Sequence, residues 1–231
     1  PMFLMAYGDR DIRLSNFDEY TPDDVFEEIT GITEAEFRLL RDGQQVREEN
    51  GEVTTIPGLF DQAVFDQAVQ EFLDKKESLA DYFDDAQTEN IFAYIPQQKT
   101  SLVFTPQPVV KMMVDILEAE NPGVFADPDK TFADLFSTAG LFLMEIVRRL
   151  DTGLAAAIPD QDERLRHILA SQIFEMSHDK IFHAITVEAV SGGVPERRAW
   201  IKDSGHFKVG NLAKMSAAER QRVVDEMLGD S

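Results

Sequence analysis

KTFADLFSTAGLFLMEIVRRL, residues 130–150, reads as a short buried strand, a turn and an amphipathic helix. TFADLF is a mixed apolar run with Asp134 at or near its end, and GLFLMEIVRRL continues at helical spacing. Between them stand Ser137, Thr138 and Ala139, then Gly140, the one glycine of the stretch. Strand–turn–helix units of this kind open many nucleotide-binding sheets, whose ligands sit beyond the carboxyl ends of the strands. Asp134 and Gly140 are therefore the first site candidates. Each also has a plain structural reading. Asp134 can accept backbone N–H groups to organise the turn, and Gly140 can allow close helix–sheet packing. Thr138 and Leu141 carry side chains where a ligand would need room, so spacing leaves both readings open.

The pattern extends on both sides. FTPQPVVKMMVDILEAENPG (104–123) starts a helix at Thr105–Pro106, with Val109, Val110, Met113, Ile116 and Leu117 expected on one face. After residue 150, DERLRHILASQIFEM (162–176) predicts a helix running directly into a strand near 172–176. DKIFHAITVEAVSGG (179–193) predicts a helix capped by Asp179 and closed by Gly192–Gly193. A third strand is expected at 206–209, and a last helix opened by a Ser216/Glu219 capping box. From 104 onward the order is α–β–α–α–β–α–β–α, which argues for a parallel sheet with helical crossovers.

The first hundred residues differ. TPDDVFEEITGITEAEFRLLRDG (21–43) predicts two short helices, one with Thr21 as N-cap and Pro22 at its first position, the other with a Thr33/Glu36 capping box and a stop at Gly43. GEVTTIPG (51–58) is a turn or short edge strand. FDQAVFDQAVQEFLDKKESLADYF (60–83) places Phe60, Val64, Phe65, Ala68, Phe72 and Leu79 at helical spacing. A linker is expected over 84–101, with Pro96 marking the boundary. The organisation is thus an acidic, mainly helical region, 1–98, followed by an α/β domain, 99–231.

Composition narrows the chemistry. With 231 residues, 43% hydrophobic and 17 Phe, the chain can bury a substantial core. It has no cysteine, which excludes disulfides, thiolate zinc sites and cysteine nucleophiles. His167, His178, His183 and His206 are too scattered to predict a metal site. No Ser–His–Asp set, Gly-rich-Gly-Lys phosphate loop or catalytic acid pair emerges from spacing. The opening PMFLMAYGDRD has no basic n-region, and no apolar run is long enough to span a membrane, so a soluble cytoplasmic protein is expected. The formal charge is −21, and residues 1–98 carry 23 acidic and 7 basic side chains. Such a segment repels a duplex, because non-specific DNA affinity rests on basic side chains displacing counterions. Arg148–Arg149 and ERR (196–198) read as short solvated basic patches, and Trp200 as packed.

KTSLVFTPQPVVKMMVDILE (99–118) and FADLFSTAGLFLMEIVRRL (132–150) together resemble the N6-adenine-specific DNA methyltransferases of restriction–modification systems. In that family a Phe-Thr-Pro opening contacts S-adenosylmethionine, and a strand leads into Asp-Pro-Ala-Cys-Gly-Ser-Gly-Gly-Phe-Leu. The resemblance carries Phe104, Thr105 and Pro106 onto the opening, and Asp134 and Gly140 onto the loop's acid and one of its glycines, as cofactor-binding residues. It carries Phe142 and Leu143 onto the helix start. Leu135, Thr138 and Leu141 depart from the loop, and Ser177 or His178 falls where the ribose-binding acid is expected. The family's Asn/Asp-Pro-Pro-Tyr/Phe sequence, which holds a flipped adenine, does not occur.

What the resemblance implies is a partial Rossmann-like methyltransferase sheet preceded by a helical region: an N-terminal fragment with a degenerate cofactor loop, incomplete and not expected to be catalytic alone. S-adenosylmethionine would be the cofactor, with no metal. DNA would be met only through a larger parent protein or complex, with a protein partner or a homodimer as the other associations and no membrane. Two alternatives stay open, a non-enzymatic protein-interaction scaffold and an acidic DNA mimic, as does the question whether the chain is itself an enzyme.

Overall fold

The computed structural model describes residues 2–48, 51–80, 83, 91–94 and 104–228. The chain divides into two compact units, Phe3–Glu77 and Ser78–Ser231. The boundary expected at Pro96, and most of the predicted linker, lie outside the described residues.

The first unit is mainly helical. Its elements are α1 (Met2–Tyr7), a 3-10 turn (Leu14–Glu19), α2 (Asp23–Thr30), α3 (Glu34–Asp42), an antiparallel hairpin of β1 (Gln44–Arg47) and β2 (Val53–Ile56), and α4 (Gln62–Ser78). α3 starts as its capping box requires: the Glu36 N–H donates to Thr33 Oγ1, and the Thr33 N–H donates to Glu36 Oε2. It stops at Gly43, whose φ of 75° suits glycine. α2 begins one residue later than expected, with Pro22 in the N-cap position. The core is rich in phenylalanine. Phe26 and Phe37 pack edge-on at 5.3 Å, and Phe17 and Phe65 do the same at 5.3 Å. α4 packs the expected Phe65 and Phe72 against this core, but its most buried side chains are two that the spacing did not single out. Val69 and Leu73 are buried beside Leu4 and Ile12, whereas Val64 is exposed. Asp18 is buried and ion-paired to both Arg38 and Arg41.

The second unit is α/β. A 3-10 turn (Ile91–Tyr94) precedes α5 (Gln107–Glu120), β3 (Phe132–Ser137), α6 (Leu141–Gly153), α7 (Gln161–His167), a π-helical turn (Ile168–Gln172), β4 (Ile173–Ser177), α8 (Lys180–Ser191), α9 (Pro195–Ser204), β5 (Phe207–Val209) and α10 (Ala217–Leu228). The three strands form a parallel sheet in chain order, β3–β4–β5. All five residues of β4 are buried, as a parallel strand covered on both faces should be. On one face α6 inserts Leu143, Val147 and Leu150, with Leu154 just beyond its end, all fully buried against Leu169, Ile173 and Val190. Each such side chain contributes about 1.5–3 kcal/mol on burial. On the other face Phe174 and Met176 meet Met227 of α10, which the Ser216/Glu219 box opens as expected.

Several expectations change. α5 buries Val110 and Val114, while Val109, Met113 and Ile116 are exposed, because its apolar arc is wider than the strip that packs on α6. α9 was not anticipated: PERRAW begins with a proline at the first helical turn, and the charge of ERR hid its helical start. Arg148 and Arg149 are engaged with Glu145, and Arg198 with Glu188, rather than standing as solvated patches. Trp200 packs against the core as expected. Asp134 is third of six residues in β3, not at its end, because the strand continues through a register irregularity to Ser137.

Candidate functional site

That irregularity shapes the carboxyl end of the sheet. Asp134 pairs in register with Glu175, and Ser137 with Ser177, so β3 spends one more residue than β4 over the same span. A one-residue insertion reverses the alternation of side chains. Phe132 and Asp134 face the α6 layer, and Ser137 also turns inward. Phe136, which strict alternation would have buried, turns out and is 57% exposed. Asp134 stabilises the bulge itself: its Oδ1 accepts the Phe136 N–H at 3.2 Å. The structural reading of Asp134 is therefore realised, though at a bulge rather than at the helix turn.

The turn that follows is tied to α8. Ser137 Oγ lies 3.1 Å from Thr186 Oγ1 and accepts the Gly140 N–H at 3.2 Å. Gly140 is the N-cap of α6 with φ 69°, and a Cβ there would lie 3.0 Å from Thr186 Cγ2 and 3.1 Å from Val190 Cγ2. Glycine is thus required both for its left-handed backbone and for close packing on α8. No side chain caps α6, so its first-turn N–H groups have no side-chain acceptor among the described residues.

Beside the turn, the end of β4 supplies an aromatic surface. His178 stacks on Phe136 with ring centroids 5.4 Å apart and planes 11° from parallel, and leans on Phe182 at 4.9 Å. Its Nε2 lies 3.1 Å from Asp179 Oδ2, and Asp179 also caps α8 by accepting the Phe182 N–H at 2.9 Å. Phe136 and His178 are the residues that sequence reasoning missed as a pair. The available signal was an aromatic residue two places after Asp134 opposite an imidazole at the next strand's end, but the bulge that brings them together leaves no mark in periodicity.

Two carboxylates lie under this surface. Glu175 is fully buried, accepts the Ser177 hydroxyl on Oε1 and meets His183 Nδ1 at 3.1 Å on Oε2. Both its oxygens are engaged within the protein, which turns it away from a ligand. Burial pushes the Glu175 carboxyl above the usual range, against the lowering pull of His183 and Ser177. Burial likewise raises Asp134, opposed by the Phe136 N–H and by Ser137. Both groups therefore hold a proton more tightly than a solvated carboxylate.

Phe104, Thr105 and Pro106 stand at the start of α5, with Pro106 in the N-cap position. Phe104 packs at 5.4 Å on Phe92. α5 lies along α6, where Arg149 ties the two helices through Asp115 and Glu118. Among the described residues no hydrogen bond or ring contact joins the Phe104–Pro106 triplet to Asp134 or Gly140, so the five expected residues fall into two groups. No group of three or more His, Asp or Glu side chains among the described residues is arranged to hold a metal ion. No helix among them is long and apolar enough to cross a membrane.

No family model matches the chain, and no solved structure matches it. Over 96 residues, 42% of its length, it is 31% identical to an "Uncharacterized adenine-specific methylase" of Mycoplasma pneumoniae (strain ATCC 29342 / M129 / Subtype 1). The match spans 23% of that relative. The chain is thus similar to part of a methylase-like protein, over a segment far shorter than the relative itself.

Proposed function

We propose that the second unit is a partial, Rossmann-like methyltransferase domain that binds S-adenosylmethionine at the carboxyl ends of β3 and β4. The observation that carries this reading is the Phe136–His178 stack, an exposed aromatic platform at the position where open α/β sheets take their ligands. A flat, partly solvated ring pair suits the adenine of an adenosyl group. Asp134, half-buried and hydrogen-bonded only to neutral donors, offers a carboxylate for a cationic or hydroxyl group. The uncapped start of α6 offers N–H groups for the cofactor's carboxylate. Thr138 and Leu141 narrow the space beside Gly140, consistent with a loop less open than a glycine-rich one.

When bound, the cofactor would supply an electrophilic methyl group. The residues of this chain would orient it: Phe136 and His178 hold the base, and Gly140 keeps the turn close to α8. Phe104, Thr105 and Pro106 belong to the same site if α5 closes over it. The Asn/Asp-Pro-Pro-Tyr/Phe sequence that would hold a target adenine is absent from these 231 residues. Methyl transfer to DNA is therefore proposed only for an assembly that adds such a sequence, whether a longer polypeptide or a protein partner. The outer edge of β3, unpaired among the described residues, is where a further strand would join.

Saturation-transfer NMR tests the platform directly. Irradiating protein methyl groups should transfer magnetisation to the adenine protons of S-adenosylmethionine, and Phe136→Ala should abolish it. Equal transfer in both proteins would rule out the platform, and none in either would remove the cofactor reading.

A further inference from the structure

A concavity lies at the opposite, amino-terminal end of the same strands. It is a cleft of about 640 Å³, a ligand-sized volume. Each strand contributes residues from just before its start: Thr131 ahead of β3, Ser171 ahead of β4, and Ser204 with His206 ahead of β5. Ser171 belongs to the π-helical turn, a type of irregularity often found at functional sites. Lys208 and His167 complete the polar lining.

Its polar lining combines one cation, Lys208, with the exposed hydroxyls of Thr131 and Ser171. Lys208 is half-buried, and among the described residues its side chain makes no hydrogen bond or ion pair. An anion in the cleft would give this ammonium a counter-charge. His167 Nε2 lies 3.0 Å from the Pro128 carbonyl, which can only accept, so this nitrogen donates. His206 stacks on Phe174 at 4.0 Å with planes 19° apart, forming a flat side to the cleft. Burial, and secondarily Lys208, lower its proton affinity, while a hydrogen bond to the Ile173 backbone opposes them. The two carboxylates of the lining, Asp129 and Glu226, are exposed at its mouth, and Glu226 already lies 3.9 Å from Arg222.

We propose that this cleft binds the phosphate group of a small phosphorylated molecule. Lys208 pairs with its charge, the hydroxyls of Ser171 and Thr131 donate to its oxygens, and the Phe174–His206 face packs against the remainder. One ammonium and two hydroxyls drawn from separate chain segments suit a group with several acceptor oxygens better than a planar carboxylate. The site is independent of the proposed cofactor site, because it sits at the other end of the strands and shares none of its residues.

Inorganic phosphate is the probe, added to the full chain labelled at its histidine rings, at pH 7.5 and constant ionic strength. Saturable shifts of the His167 and His206 ring signals are expected, with sodium acetate producing none. Lys208→Gln should weaken binding at least about tenfold, the scale of one charge-assisted hydrogen bond, and Lys208→Arg should recover most of it. Lys208 lies on an edge strand and is half-exposed, and a thermal melt of each variant confirms its folding. No saturable shift at tens of millimolar phosphate would overturn the proposal. So would equal affinity in Lys208→Gln, or equal binding of acetate.

Discussion

Replacing Gly140 by alanine tests how the turn after β3 is held. Two costs combine. At φ 69° an L-residue pays about 1–2 kcal/mol for the left-handed backbone. The new methyl would also lie 3.0 Å from Thr186 Cγ2 and 3.1 Å from Val190 Cγ2, and such overpacking costs about 1–3 kcal/mol in a packed core. Gly140→Ala should therefore destabilise the chain by about 2–5 kcal/mol, read from urea unfolding followed by circular dichroism. Thr186→Ser separates the two costs, since it removes Cγ2 while keeping the hydroxyl that meets Ser137 at 3.1 Å. In the double variant the contact with Thr186 is gone but the backbone cost remains. The effects should then be non-additive, with Gly140→Ala costing about 0.5–1 kcal/mol less in the Thr186→Ser background. A loss under about 0.5 kcal/mol for Gly140→Ala would refute both the strain and the close approach. Full additivity would refute the contact alone.

Three further outcomes follow from the core and the caps. Leu143→Ala removes a fully buried side chain of the main core and should cost about 2–5 kcal/mol in the same unfolding assay. Ser216→Ala breaks a capping box at an exposed helix start and should cost about 1 kcal/mol, with no change in the slope of the transition. For Glu175 the sign follows from its raised pKa. The folded state holds the proton more tightly than the unfolded chain, where a glutamate titrates near about 4.3. Stability from this group is therefore gained as pH falls toward the folded pKa and lost as pH rises through it. As pH is lowered from 7 to the unfolded value of about 4.3, the wild type should gain stability relative to Glu175→Gln, which cannot titrate. An unchanged difference between the two proteins would contradict the burial effect.

The alternation of strands and helices after residue 104 was legible because most elements carry their own punctuation. Thr105–Pro106, Asp179, Gly192 and Ser216 each mark an end by a local rule, and the structure uses them. Faces were harder. α4 and α5 have more apolar residues than their packing needs, so spacing pointed to Val110 but not to Val114, nor to Val69 and Leu73, as the buried positions. α9 was lost to the weight given to its charges. At the site, Gly140 could be found from sequence because a lone glycine between strand and helix has few roles. Phe136 could not, since its exposure depends on one inserted residue in the pairing of β3 with β4. Glu175 was visible as a carboxylate in a strand, but only tertiary contacts with Ser177 and His183 turn it inward.

Calorimetric titration of the purified chain with S-adenosylmethionine, repeated with Asp134→Ala, tests the proposed cofactor site most directly. Micromolar binding that is lost in the variant is the predicted result. No heat and no thermal stabilisation at millimolar ligand would contradict cofactor binding by this chain.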